Sequence, residues 1–163
     1  MLTTITPATV EPVTLAEAKE HLRVTHAEDD DLIGRLITGA REFVEQQTGR
    51  ALAAASYRYT GRLLALPLLP ATVDSVEALQ ADGVTWAVDA DVAYDPDRNL
   101  LTGVTRWNHK VDFTTAPDYI PQALKDAILI RVQAAYEATP DDAAKLNAHA
   151  YNIAFPWRLN LGV

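Results

Sequence analysis

The chain has 163 residues, a formal net charge of −8, 48% hydrophobic residues and no cysteine. That length is most simply one domain able to bury a sizeable core, and the apolar fraction excludes disorder by composition. No apolar run reaches the roughly 18 residues of a membrane span. Met1-Leu2-Thr3-Thr4-Ile5 lacks the basic region and apolar stretch of a signal peptide, and disulfides and thiolate metal sites are excluded.

The charge is uneven. Residues 11–50 carry nine acids and five bases, residues 51–70 two bases alone, residues 71–103 seven acids and one base, and residues 104–163 six of each. No block is strongly basic, so a grip on nucleic acid through its phosphates is not expected. The acidity keeps a chain soluble; it also suits a surface that DNA passes without adhering.

Thr14 and Glu17 have the spacing of a capping box, with Leu15, Ala18 and Leu22 on one face, which predicts a short helix over about 14–24. Glu28-Asp29-Asp30-Asp31 puts carboxylates at the positive end of a second helix. Leu32, Ile33, Leu36, Ile37, Ala40, Phe43 and Val44 then repeat at the helical period, and Gly49 stands where a helix stop is expected, so the helix covers 30–48. Gly34 and Gly39 fall inside it and are read as helix-packing glycines rather than a phosphate loop.

A β region over about 55–115 follows. Tyr57 and Tyr59 alternate with polar residues, Val73–Leu79 is a strand candidate, and Asp82-Gly83 is a hairpin turn leading to Val84, Trp86 and Val88. Asp95-Pro96-Asp97-Arg98-Asn99 is a second turn before Leu100-Leu101, and Val111, Phe113 and Thr115 alternate again. Pro121 opens a helix over about 121–137 with a buried stripe of Leu124, Ala127, Ile128, Val132, Ala135 and Tyr136. Thr139-Pro140-Asp141 is a break and a new cap for a last helix over about 142–154, followed by a tail at 155–163. The fold class is α+β: mainly a helical bundle of two N-terminal and two C-terminal helices, with a β-hairpin-rich middle segment, in a single domain spanning 1–163.

Catalytic chemistry is sought without success. His21, His26, His109 and His149 form no His-Glu-x-x-His pattern. Asp89, Asp91, Asp95 and Asp97 are spaced like part of a calcium loop, but an EF-hand needs Gly where Tyr94 stands and Glu where Leu100 stands. Ser56 and Ser75 lie in no nucleophile elbow. Catalytic, cofactor and metal residues are therefore read as none. Tyr151, Phe155, Trp157 and Arg158 include residue types favoured at interface hot spots; they either form a partner interface or close the core of the last helix. Trp86 and Trp107 are read as sheet packing.

The order of these motifs resembles the head–tail connector (adaptor) family of long-tailed bacterial viruses and related gene-transfer particles. The similarity runs from Pro12-Val13-Thr14-Leu15-Ala16-Glu17-Ala18 through Asp29-Asp30-Asp31-Leu32-Ile33, Ala40-Arg41-Glu42-Phe43 and Thr48-Gly49-Arg50. It resumes at Leu69-Pro70, Asp82-Gly83 and Ile120-Pro121-Gln122-Ala123-Leu124. Family members often have Gly-Tyr before the Ile-Pro helix start, where this chain has Pro117-Asp118-Tyr119. They often end in Pro-Tyr-Arg, where it has Pro156-Trp157-Arg158.

The resemblance implies a structural subunit, not an enzyme. It would form a ring, usually twelve-fold, below the portal protein and join the capsid to a stopper or tail-completion protein. Double-stranded DNA would pass through without specific binding. It implies no cofactor, no membrane partner, a place in the neck of a virion or gene-transfer particle, and synthesis in the bacterial host cytoplasm. The C-terminal segment, with Tyr151, Phe155, Trp157 and Arg158, is expected to reach the portal, and Trp157→Ala with Arg158→Ala to leave the fold intact but weaken portal docking. Another neck ring protein, a stopper or tail terminator, and a small metal-dependent hydrolase are the alternatives.

Overall fold

The capping box read at Thr14 is present in the computed structural model, which describes residues 1–61, 65–104, 108–136 and 139–159. The Glu17 amide donates to Thr14 Oγ1, and the Thr14 amide donates to Glu17 Oε2 at 2.7 Å, which starts helix α1 (Leu15–Leu22). The Thr14 amide and hydroxyl, both donating to the carboxylate, hold the Glu17 carboxyl below its ordinary value. Arg23 ends the helix in the left-handed region, φ 59°. Helix α2 (Asp30–Thr48) ends at Gly49, φ 69°, whose amide donates to the Glu45 carbonyl. A residue with a Cβ resists that conformation, so the glycine read as the stop is what the turn requires.

The chain divides into two compact units. One comprises Val10–Leu52 and Asp118–Leu159, and the other Met1–Thr9 and Ala53–Pro117. The helical unit adds α3 (Gln122–Tyr136) and α4 (Pro140–Ala154), followed by a 3-10 turn at Phe155–Trp157. Its core joins Val13, Ile33, Ile37 and Val44 to Leu124, Ile128 and Val132, with Ala150 and Ala154 from α4. Arg131 packs its guanidinium 3.6 Å from the Phe43 ring centre and donates to Asn147 Oδ1, so one side chain links α2, α3 and α4.

A charged group lies inside this apolar unit. Arg41 donates from Nε to Glu11 at 2.8 Å and from Nη1 to Glu45 at 2.6 Å, and the Glu45 carboxylate also accepts from the Leu52 amide. Thr38 adds a hydroxyl to Glu11. The network fastens the chain before α1 and the chain after α2 to one side of α2.

The second unit is built on an antiparallel sheet of β1 (Leu2–Thr6), β2 (Ala55–Gly61), β3 (Ala71–Leu79), β4 (Trp86–Val88) and β7 (His109–Thr115), in the order β1-β2-β7-β3-β4. β5 (Ala93–Asp95) and β6 (Leu100–Thr102) form a separate hairpin. Alternation sets the faces. His109, Val111, Phe113 and Thr115 of the central strand are buried, with Tyr57, Val76 and Ala78 from its neighbours. The intervening Lys110 and Asp112 share the other face with Glu77 and Arg58, and Arg58 pairs with Asp112 through two bonds of 2.7 Å.

Several expectations change. β1 was not read, because five residues without a neighbouring turn signal carry little pattern. α4 starts at Pro140, not 142: Thr139 Oγ1 caps the Asp142 amide, and proline fits the first helical turn. Ala134, not Ala135, continues the buried stripe of α3, since the last turn is covered from the flank that Ala127 and Ala134 share. Gly34 and Gly39 do not serve packing, since a Cβ at either would meet nothing within 4 Å. Trp107, residues 137–138 and the tail from 160 lie outside the described residues.

Two stability measurements test these glycines. Gly39→Ala is expected to raise unfolding free energy by about 0.5–1 kcal/mol, since the mid-helix glycine carries only an entropic cost. Gly103→Ala is expected to lower it, because φ is +77° and the new Cβ would collide with the Asp91 carbonyl oxygen. Denaturant titration of both reads the opposite signs directly.

The buried network predicts a pH effect. Burial pushes the Glu45 carboxyl above its ordinary 4.5, against the pull of the Leu52 amide and of Arg41. A raised carboxyl supports the fold below the unfolded value, and that support is lost as pH rises through the folded value. Glu45→Gln should flatten this part of the melting profile. Arg41→Ala, which strands two carboxylates, should cost about 3–5 kcal/mol.

Candidate partner-binding surface

The four C-terminal residues read from sequence lie on the last turn of α4 and the 3-10 turn after it. The tail is gripped by the end of α2. Arg50 Nε donates to the Trp157 carbonyl at 2.7 Å, and the Leu159 amide donates to the Thr48 carbonyl, one of the acceptors a helix end leaves unpaired. The Arg50 guanidinium also faces the Trp157 ring, 5.9 Å from its centre.

The two alternatives for these residues therefore divide between them. Trp157 is half-buried and packs against the helical core. Tyr151 and Phe155 face outward at 37% and 54% exposure, one helical turn apart, with ring centres 5.7 Å apart. Arg158 is exposed beside them in sequence. The arrangement is an anchor with an outward aromatic pair: Trp157 fixes the turn, and Tyr151 and Phe155 are presented by it. Alternation of inward and outward residues could not be read in advance, because a 3-10 turn breaks the helical period at Phe155.

The residues weighed for metal or catalytic chemistry are engaged in local structure. His21 Nε2 meets Gln133 Oε1 at 3.2 Å. His26 Nδ1 lies 2.9 Å from Glu28, while Asp29 accepts from the Tyr136 hydroxyl and Asp30 pairs with Lys19. His149 is exposed. Asp95 accepts from the amides of Asp97 and Arg98, and Asp89 from that of Asp91, so these aspartates close turns. Ser56 meets Thr114 across the strands, and Ser75 is exposed. Among the described residues no three His, Asp or Glu side chains converge to hold a metal.

Two polar groups escaped the sequence reading. His109 is buried, with Nε2 3.4 Å from Asp89 Oδ2. Asn99, φ 49°, is buried as well, accepting from the Leu66 amide and the Tyr94 hydroxyl and donating to the Leu66 carbonyl. His109 continues the inward alternation of Val111, Phe113 and Thr115, whereas Asn99 carries no sequence signal, since its partner Leu66 is a distant residue.

Comparison with known proteins bears out the resemblance. Residues 12–84 match the sequence model of the family described as phage gp6-like head-tail connector protein. A chain in the virion of a native gene transfer agent particle is 23% identical, with TM-score 0.63, over 100% of this chain and 98% of its own. A chain in the neck of a native gene transfer agent particle, computed with C12 symmetry, is 22% identical, with TM-score 0.62 and the same coverage. One in the neck of an empty particle, computed with C6 symmetry, gives 22% and 0.63. At this identity the likeness is one of fold. No curated protein matches the chain.

Trp157→Ala is expected to lower stability by about 1–3 kcal/mol, less than for a fully buried tryptophan. Tyr151→Ser and Phe155→Ser should stay within about 0.5 kcal/mol of the parent chain. Thermal melts of the three variants separate anchor from presented surface; equal losses at all three positions would contradict the division.

Proposed function

We propose that this chain is a structural head–tail adaptor of a tailed virus or gene-transfer particle. In this reading it sits in the neck as one subunit of a ring, twelve-fold as the family resemblance implies, below the portal protein. It joins the capsid to a stopper or tail-completion protein and lets double-stranded DNA pass. Its two units work together as one adaptor domain, it catalyses nothing, and it is made in the bacterial host cytoplasm. The observation that carries the reading is full-length likeness of fold to neck chains, with the head-tail connector match across residues 12–84.

The chemistry supports the role. The net charge of −8 disfavours adhesion of phosphates to a channel wall. Two exposed aromatic rings and an arginine at one end of a helical unit have the composition of an interface centre. Tyr151, Phe155 and Arg158 are the proposed contacts to the portal, and Trp157 positions them.

The test is particle assembly with Tyr151→Ser and Phe155→Ser together. DNA-filled heads without tails should accumulate, counted by negative-stain microscopy, while the purified variant keeps the parent melting temperature. A normal yield of tailed particles containing the variant would overturn the portal contact.

A further inference from the structure

A cyclic ring of more than two copies needs two different surfaces on every subunit, because a self-complementary patch closes at a dimer. The sheet offers such a pair. Its outermost strands, β1 and β4, each have a strand on one side only among the described residues. An unpaired strand edge is a ready template for another chain unless it is blunted. β1 is not blunted. Its sequence, Leu2-Thr3-Thr4-Ile5-Thr6, has no charge and no proline, and all five residues are exposed.

The two edges differ in charge. Met1 to Val10 includes no acidic or basic side chain, and the nearest charged side chain on the adjacent strand is Arg58. The opposite edge is acidic. Asp74, Asp82 and Asp89 lie on or beside β3 and β4, while Glu77 is paired with Lys110, which also lies over the Trp86 ring. Two acidic edges repel each other, whereas an acidic edge meets no like charge on β1, Arg58 beside it being paired with Asp112. Apolar side chains stand at both: Leu2 and Ile5 on β1, and Val84 and Val88, 79% and 75% exposed, at β4.

Asp82 keeps the acidic edge in shape. Its carboxylate accepts from the Val84 and Thr85 amides and from the Thr85 hydroxyl. These bonds hold its carboxyl down to about 2.

We infer that β1 of one copy adds to the β4 edge of the next, extending the sheet from subunit to subunit. The inference rests on the ring reading and specifies its contact. All four pairings in the sheet are antiparallel, so β1, β7 and β4 run in one direction. A copy that continues the sheet therefore meets its neighbour in a parallel pair. Parallel pairs are slightly weaker per residue, and β4 has three residues. The contact is thus weak singly and is reinforced by closure of the ring.

The register also selects the probes. Thr4 pairs with Tyr57 and Tyr57 with Phe113, while His109 pairs with Ala78 and Ala78 with Ala87. Phe113 and His109 are four apart on one strand, so Thr4 and Ala87 share a face. Both are exposed. Neighbouring strands lie about 4.8 Å apart, which a disulfide can span. The chain has no cysteine, so engineered ones report alone.

The experiment uses Thr4→Cys, Ala87→Cys and the double variant, in the full chain within assembled necks, under oxidation. The double variant should give a ladder of disulfide-linked oligomers. The two single variants assembled together should give cross-linked dimers, and each single variant alone should give none above a diluted control. Neck rings visible by microscopy without the Thr4–Ala87 link would overturn the edge pairing and leave the ring reading standing. A link between two Thr4→Cys copies would also overturn it, showing a two-fold contact. Necks that lack the chain altogether would overturn both.

Discussion

The helical unit depends on a charged group placed where water cannot reach it. Arg41 lies between Glu11 and Glu45, and Glu45 reaches on to the Leu52 amide. Apolar packing of Ile33, Ile37 and Val44 restricts the rotations open to α2. A buried guanidinium tolerates few, because any rotation that parts it from its carboxylates leaves uncompensated charge in a low-dielectric interior. The consequence travels along α2. With its rotation fixed, Thr48 and Arg50 are presented to the tail, which they hold at Leu159 and Trp157. Tyr151 and Phe155 then face outward because Trp157 faces inward.

The long helices were legible because their signals are local. Thr14 and Glu17, the Asp29–Asp31 start, Gly49 and Pro121 each act within one turn of the element they delimit, and the structure has α2 at Asp30–Thr48. The Asp82-Gly83 turn and the alternation of Val111, Phe113 and Thr115 were legible for the same reason. What escaped depends on partners far away in sequence. β1 is a strand because β2, more than fifty residues later, pairs with it. Asn99 is buried because Leu66 needs its amide group. The C-terminal residues were found by type, yet their division into anchor and surface needed Arg50 and Thr48, a hundred residues upstream.

The sheet shows how one element serves two ends. Its central strand β7 is buried on one face and carries Lys110 and Asp112 on the other, so the sheet is stabilised from within. Its margins are left to other work. The neutral margin is uncharged and open, and the acidic margin is shaped by Asp82 and faced by exposed valines. In a lone protein such margins invite aggregation. In the proposed neck ring they would be surfaces that meet in only one order.

The central claim is that the chain forms a ring in the particle neck. The most direct measurement is cryo-electron microscopy of the neck of tailed particles from the source of this sequence. The account predicts density for this chain as a closed ring between portal and tail, with Tyr151 and Phe155 against the portal. A well-resolved neck without this chain would contradict it.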